Sequence, residues 1–284
     1  MGDNLIILAA GASSRMKQQM SNNTALSNRE LYQANNRSKA LISIDASGRP
    51  ILDYVLYNAK KAGYKNIYIV TQKNNELFKA LYHDNDRFRG MNIRFAIQYI
   101  PNTREKPFGT ADALYQTLEQ YPELKNSSFT VCNSDNLYSV KAFQLLRENK
   151  TTSNALISYD RNALQFSEER ISKFALMLFD KGGHLSDIIE KPTLDQLNKF
   201  KDSSGKIRVS MNIFKFEGNM FYNYLKNCPI NPTRNEKELP TALMQMVKDH
   251  PTATIGIPLS EHVPDLTSKE DILTLKEYIK NLSK

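Results

Sequence analysis

An α/β fold is predicted for this chain: a mixed, mostly parallel sheet flanked by helices, with a substrate-side β elaboration. Three observations carry it. Apolar strand-like runs alternate with helical spacing through residues 1–150, the pattern of a parallel sheet with crossover helices on both faces. Several of those runs stop at small-residue or acidic loops, where such a sheet presents its ligands. After residue 150 strand-like runs crowd together, and helices return only towards the end.

The first element is the apolar run Leu5-Ile6-Ile7-Leu8, which ends in Ala9-Ala10-Gly11-Ala12-Ser13-Ser14-Arg15-Met16. A loop of such small residues brings bare backbone N–H groups close to a ligand, and Arg15 adds a fixed positive charge, so the loop suits phosphate. It lacks the glycines of G-x-G-x-x-G and the Gly-Lys-Ser/Thr of the Walker loop. Taken alone, it is equally a tight turn of an α/β domain.

Residues 17–38 are rich in Asn, Gln and Ser without lasting apolar periodicity. They read as an inserted flexible loop with a helical turn at Arg29–Gln33, able to close over a bound ligand. A short strand is expected at 40–45 and a helix at 50–62, with Ile51, Val55 and Ala59 inward and Gly63 as its stop. Strands at 66–70, 93–100 and 128–132 then alternate with helices at 76–81, 110–120 and 140–149, the last turning Ala142, Leu145 and Leu146 inward. Strands are expected at 154–159, 174–179, 185–189 and 209–216, with a turn at Asp180-Lys181-Gly182-Gly183. Helices follow at 219–226, 239–248 and 268–282. No repeat or Pro/Gly linker divides the chain, so 1–284 reads as one domain, with a first half at 1–150, a second at 151–266 and a C-terminal helix from 267.

Composition narrows the classes. With 284 residues, 40% hydrophobic and 24% charged, the chain is ordinary for a soluble globular protein and can bury a sizeable core. No stretch approaches the ~20 apolar residues of a membrane span, and the short first run behind Asp3 does not read as a signal peptide, so a cytoplasmic protein is expected. Cys132 and Cys228 are too few and too far apart for a metal knuckle and read as packing residues. Lys plus Arg outnumber Asp plus Glu by 38 to 30, a net charge of +8. That suits polyanionic ligands, but the basic residues are scattered, with no aromatic-interleaved stripe that would point to nucleic acid.

Three further motifs carry chemistry. In Phe108-Gly109-Thr110-Ala111, Gly109 lets backbone approach a planar ligand and Thr110 reads as an N-cap whose helix dipole faces the site; alone, this is an ordinary capped helix. The strand ending Val131-Cys132-Asn133-Ser134-Asp135 presents a carboxylate at its exit, a natural hard-oxygen ligand for Mg²⁺ or, alone, a turn residue. Glu190-Lys191-Pro192 closes another strand with an acid, a base and a proline. Lys191 can grip a second phosphate, or the two charges are simply a surface ion pair.

Taken in order, Leu-Ala-Ala-Gly-x-x-Ser-Arg-Met, Lys39, Gly-Thr-Ala, an Asp after a strand, Glu-Lys-Pro and a late Asp make the chain resemble the sugar-phosphate nucleotidyltransferases, the nucleotide-sugar pyrophosphorylases. Glucose-1-phosphate uridylyl- and thymidylyltransferases are examples. The likeness runs from Leu5 to about Asp271 and implies their Rossmann-like fold. It implies that Ala10, Gly11, Ala12, Ser14 and Arg15 meet the nucleotide, with Thr110 nearby, that Lys39 holds phosphate, and that Gln98 and Gly109 read the base. It further implies that Asp135 and Asp265 hold Mg²⁺, that Glu190 and Lys191 bind the sugar and its phosphate, and that Asn212 holds a sugar hydroxyl.

The implied reaction joins a nucleoside triphosphate, UTP or dTTP, and a sugar 1-phosphate by in-line attack on the α-phosphorus, with pyrophosphate leaving. Arg15, Lys39, Asp135 and Lys191 are its expected catalytic set, since positioning and charge neutralisation dominate such transfers. The chain departs from the family at Ser13, where a second glycine is usual, before Lys39, where a proline is missing, at Pro264 in place of Trp, and at Leu239-Pro240-Thr241 in place of Leu-Thr-Asp. Two rivals remain: a cytidylyltransferase acting on a phosphorylated alcohol such as phosphocholine, and a catalytically silent nucleotide- or sugar-binding module. Small-molecule partners are expected, without nucleic acid or membrane, and homo-oligomerisation is left open.

Overall fold

The computed structural model describes residues 2–18, 26–202 and 204–282. Its strands are β1 (Asn4–Leu8), β2 (Asn66–Thr71), β3 (Asn92–Ile97), β4 (Ser128–Asn133), β5 (Asn154–Asp160), β6 (Leu176–Phe179), β7 (Leu185–Ile189), β8 (Arg208–Val209), β9 (Ile213–Glu217) and β10 (Thr254–Leu259). Its helices are α1 (Ser14–Lys17), α2 (Asn28–Asn36), α3 (Ile51–Lys61), α4 (Glu76–Tyr82), α5 (Thr110–Gln120), α6 (Val140–Glu148), α7 (Glu168–Ile171), α8 (Leu194–Lys199), α9 (Gly218–Lys226), α10 (Leu239–Asp249) and α11 (Glu270–Leu282).

The strands form one mixed sheet in the order β3-β2-β1-β4-β9-β5-β8-β6-β7, with β10 pairing β5. Pairing is parallel across β3, β2, β1 and β4 and between β5 and β10; the β4–β9, β9–β5, β5–β8, β8–β6 and β6–β7 pairs are antiparallel. The parallel half explains the continuous apolar runs, because both of its faces are covered. In β1, Leu5 and Ile7 pack on one face with Leu52, Val55, Ala142 and Phe143 of α3 and α6. Ile6 packs on the other with Ala111, Leu114 and Leu118 of α5 and Phe221 of α9. A third cluster joins Met16, Ala34, Ile42, Ile44, Ile272 and Leu275, which seats α11 beside the first loop.

Most expected elements are present, with α5 and β7 at the expected bounds. Cys132 and Cys228 are buried and unbridged, as packing residues should be.

Within 17–38 the helical turn expected at Arg29–Gln33 extends to a full helix, α2, over 28–36; residues 19–25 lie outside the described residues. A capping box holds α2: the Ser27 N–H donates to Glu30 Oε2 at 2.7 Å while Ser27 Oγ accepts from the Glu30 N–H at 3.4 Å. The expected strand at 40–45 is instead the 3₁₀ turn Lys39–Leu41 followed by a single Ser43–Pro50 bridge. The expected strand at 209–216 breaks into β8 and β9, because Asn212 sits in the left-handed region at φ 56°. Strand β10 was not anticipated, nor were the short α7 and α8.

Glu30 also pairs with Lys276, tying α2 to α11. Burial pushes the Glu30 carboxyl upward, but Lys276 and the Ser27 hydroxyl and N–H outweigh it and hold the pKa down at about 2. A lowered carboxyl stabilises the fold above its unfolded value near 4.5, and that stability drains away as pH falls from there towards 2. Glu30→Gln should therefore lower the midpoint of thermal unfolding at pH 7 by about 2–4 °C, or about 1 kcal/mol. Its deficit should close by pH 2; an equal deficit at both pH values would show that the pair contributes through packing instead.

Candidate active site

The β1 exit loop is placed by backbone bonds: the Ala9 N–H donates to Val70 O at 2.8 Å, and Gln72 Nε2 donates to Ala10 O at 2.8 Å. Ser13 turns the chain into α1 at φ 55°, a conformation that costs an L-residue about 1–2 kcal/mol and that glycine adopts freely. A Cβ on Gly11 would meet no heavy atom within 4 Å, so the loop faces open space. The Lys39 segment lies against this loop, its N–H donating to Ser13 Oγ at 3.4 Å.

Gln98 follows β3, and its Nε2 donates to Gly109 O at 3.0 Å and Asp112 Oδ2 at 2.9 Å. Those bonds fix the amide orientation and leave Oε1 without a partner among the described residues. Gly109 has φ 104°, and a Cβ there would lie 2.4 Å from Lys237 O. The glycine is thus required by the close passage of the 229–238 loop, which pairs with it through Lys237 N–H to Phe108 O and Ala111 N–H to Lys237 O. Thr110 is not the N-cap expected of it. Gly109 takes that position, and the Thr110 hydroxyl instead accepts the Leu239 N–H at 2.9 Å, at the start of α10.

The exit of β4 is bound to a late segment of the chain. Leu137 N–H donates to Pro264 O at 2.8 Å, Leu266 N–H donates to Asp135 O at 2.9 Å, and Asn136 bridges Asp265. This brings Asp135 and Asp265, 130 positions apart in the chain, to one place. Each carboxylate carries a cation: Lys39 Nζ lies 3.1 Å from Asp135 Oδ2, and Arg170 Nη2 lies 2.6 Å from Asp265 Oδ2, which also accepts from Thr267 Oγ1 at 2.6 Å. Arg170 pairs in addition with Asp271, whose carboxylate caps α11 by accepting from Thr267 and Ser268 N–H. Burial and the neighbouring Asp135 charge push the Asp265 carboxyl upward.

A cleft of about 480 Å³ is lined by Arg15, Asp135, Lys191, Asn212 and Asp265 from the expected set, and by Arg170, Lys173 and Arg234, which sequence reasoning missed. Glu190 and Thr110 line an adjoining pocket of about 260 Å³, with Asn212, Glu236 and Glu238. The ionic partner of Glu190 is Arg234, at 3.7 Å, and Lys191 turns away at φ 48° to face the cleft. Ala10, Gly11, Ala12 and Ser14 at the exit of β1, Gln98 after β3 and Gly109 before α5 line neither cavity. The missed cations stand outside any motif, on α7, just after it and in the 229–238 loop, and nothing local in the sequence marks them.

The donor chemistry suits a hard cation. Two carboxylates, one at the β4 exit and one in the segment after β10 that bridges to it, supply oxygen only, and their mutual repulsion is answered here by Lys39 and Arg170. Among the described residues no three His, Cys, Asp or Glu side chains gather into a cage. Mg²⁺ typically needs none, since it is held by one or two carboxylates together with substrate phosphates and water.

Comparisons with known proteins bear on the fold and the family. The solved structure of a UDP-glucose pyrophosphorylase complexed with UDP-glucose superposes with a TM-score of 0.74 over 99% of this chain and all of that one, at 15% identity, which establishes the shared fold. The glucose-1-phosphate adenylyltransferase of Clostridioides difficile is 23% identical over 70% of this chain and 50% of its own length. The bifunctional protein GlmU of Staphylococcus epidermidis is 22% identical over 98% of this chain and 52% of its own length. The chain thus spans about half the length of the curated relatives it matches. Because the sequence model of the nucleotidyl transferase family matches residues 34–256, a span that holds Lys39, Asp135, Glu190, Lys191 and Asn212, this chain belongs to that family.

Proposed function

We propose that the protein transfers a nucleoside monophosphate from a nucleoside triphosphate to a sugar 1-phosphate, giving a nucleotide sugar and pyrophosphate, with Mg²⁺ as cofactor. The observation that carries this reading is the meeting of Asp135 and Asp265 in a cleft ringed by Arg15, Arg170, Lys173, Lys191 and Arg234. A cleft with that charge pattern suits two anionic substrates and a metal. When bound, Mg²⁺ would be held by Asp135 and Asp265 and would supply charge neutralisation at the α-phosphate.

The residues divide the work. Loop 10–15 cradles the triphosphate, with Arg15 on its phosphates. Lys39 leaves Asp135 for a phosphate oxygen once nucleotide arrives, and Arg170, released from Asp265, stays within the same cleft as a further positive charge. On the acceptor side Lys191 holds the phosphate, while Asn212 and Glu190 take hydroxyls. A phosphate oxygen of the acceptor attacks the α-phosphorus, the bond to the β-phosphate oxygen breaks, and pyrophosphate carries that electron pair away. The attacking oxygen is already ionised, so no general base is needed.

UTP or dTTP is the favoured donor. Gln98 Oε1 is an acceptor held in place by the two bonds of its Nε2, and a uracil or thymine ring offers the complementary N3–H donor.

Pyrophosphate release measured over a panel of UTP, dTTP, ATP, CTP and GTP against sugar 1-phosphates should peak with a uracil or thymine nucleotide and vanish with EDTA. Release only from CTP with phosphocholine would replace this reading with the alcohol-phosphate one, and no release from any pair would favour a silent binding module.

Asp135→Asn should lower kcat by about 100-fold or more, the scale of losing one electrostatic stabiliser of a transition state, while thermal unfolding stays within a few degrees of wild type. Retained turnover would remove Asp135 from the metal site.

A further inference from the structure

Away from the cleft, a cavity of about 760 Å³ opens between the β6–β7 turn, the residues after α8, and β8. Two buried polar side chains reach it. Ser158 is 3% exposed, and its hydroxyl has no hydrogen-bond partner among the described residues. Arg208 is 7% exposed; its Nε donates to Asp202 Oδ2 at 2.6 Å and its Nη1 to the Ser158 carbonyl at 3.3 Å, which leaves Nη2 without a partner among the described residues. Both groups open onto the cavity rather than being sealed within the protein, and a guanidinium beside a hydroxyl matches a phosphate group.

The surroundings fit the same ligand. Lys181, Lys199 and Lys201 are exposed at the mouth and add positive charge. The two carboxylates there are engaged locally. Asp180 accepts from the Gly182 and His184 N–H groups at 2.8 Å, and Asp202 takes Arg208 along with the N–H groups of its own turn. Phe179 and Phe200 supply aromatic wall. Phe179 is seated by Gly256, where a Cβ would stand 2.1 Å from its ring.

We propose that this cavity is a second ligand site, which takes an organic phosphate with its phosphate on Arg208 and Ser158 and its ring against Phe179 and Phe200. The site is separate from the cleft, and its existence does not depend on the reaction proposed there. It is nonetheless joined to it by two strands. The β7 strand leads from the Gly183 turn to Glu190 and Lys191, and β8 leads from Arg208 to Ser210 and Asn212.

Phenyl phosphate is the probe of choice, followed by isothermal titration on the whole chain with inorganic phosphate and phenol as controls. Phenyl phosphate should bind saturably and more tightly than either control. Ser158→Ala should weaken it, and the rim variant Lys199→Glu/Lys201→Glu, which touches no buried group, should weaken it about tenfold or more. Arg15→Ala, altered only in the cleft, should bind it as wild type does. Absence of saturable binding, affinity no better than that of inorganic phosphate, unchanged affinity in the Ser158 and rim variants, or loss in Arg15→Ala would each overturn the proposal.

Discussion

Everything at the active site depends on one forced meeting of like charges. The backbone bonds between residues 135–137 and 264–266 leave Asp135 and Asp265 no freedom to separate, because each strand exit is pinned by the other. Burial, and then the Asp135 charge, make an ionised Asp265 costly. The fold answers with cations drawn from distant parts of the chain, Lys39 from the segment after α2 and Arg170 from α7. Asp271 then anchors Arg170 to the first turn of α11, so the C-terminal helix is coupled to the carboxylate pair. Such a centre pairs two carboxylates that a divalent ion could take over with two cations that a polyphosphate could claim.

The sheet explains why these groups converge. Its parallel half delivers the exits of β1, β3 and β4 to one edge, and those exits carry the small-residue loop, Gln98 and Asp135. The antiparallel half runs beside it and contributes the end of β7 and the break between β8 and β9, which carry Lys191 and Asn212. The groups proposed for donor and acceptor thus come from two differently built halves of a continuous sheet. The cleft between them is strongly cationic, which gives local meaning to an excess of basic residues that looks scattered along the sequence.

Much of this was legible in advance, for physical reasons that can be named. Strand exits show in sequence because a doubly covered strand is a solid apolar run, and its end is the first residue that is not; Arg15 and Asp135 could be singled out on that basis. Helices α3 and α5 show because each buries one stripe. By contrast, only a single turn of α2 showed, because its surface is polar, although Ser27 and Glu30 already spelled a capping box. Residues 40–45 imitate a strand because Leu41, Ile42 and Ile44 are all buried, but from a 3₁₀ turn and its sequel, Leu41 in the first core cluster and Ile42 and Ile44 in the third. Strand β10 was masked by Gly256 and Pro258, residues that weaken a strand; here Gly256 makes room for Phe179, and Pro258 is exposed on a strand whose ladder partner is β5 alone. The roles of Arg170 and Arg234 were out of reach, because each is defined by partners on other elements, at Asp265, Asp271, Glu190 and Glu238.

Backbone strain gives the site a signature independent of its charges. Among the described residues, Ser13, Asp84, Lys191, Asn212 and Asn235 are the non-glycine residues with positive φ. Ser13 closes the phosphate-type loop, Lys191 and Asn212 face the cleft, and Asn235 follows Arg234, which lines it. A turn with no task gains nothing by keeping a side chain where glycine would sit without strain, so this concentration at one cleft calls for a local reason. At Lys191 and Asn212 the reason is visible, because the left-handed turn swings each side chain out of its strand direction and into the cleft. At Ser13 the hydroxyl accepts the Lys39 N–H, so the serine that replaces the family's usual glycine trades backbone ease for a contact that holds the Lys39 segment against the loop. That trade fits a chain whose segment before Lys39 lacks the family's proline and contains a helix of its own.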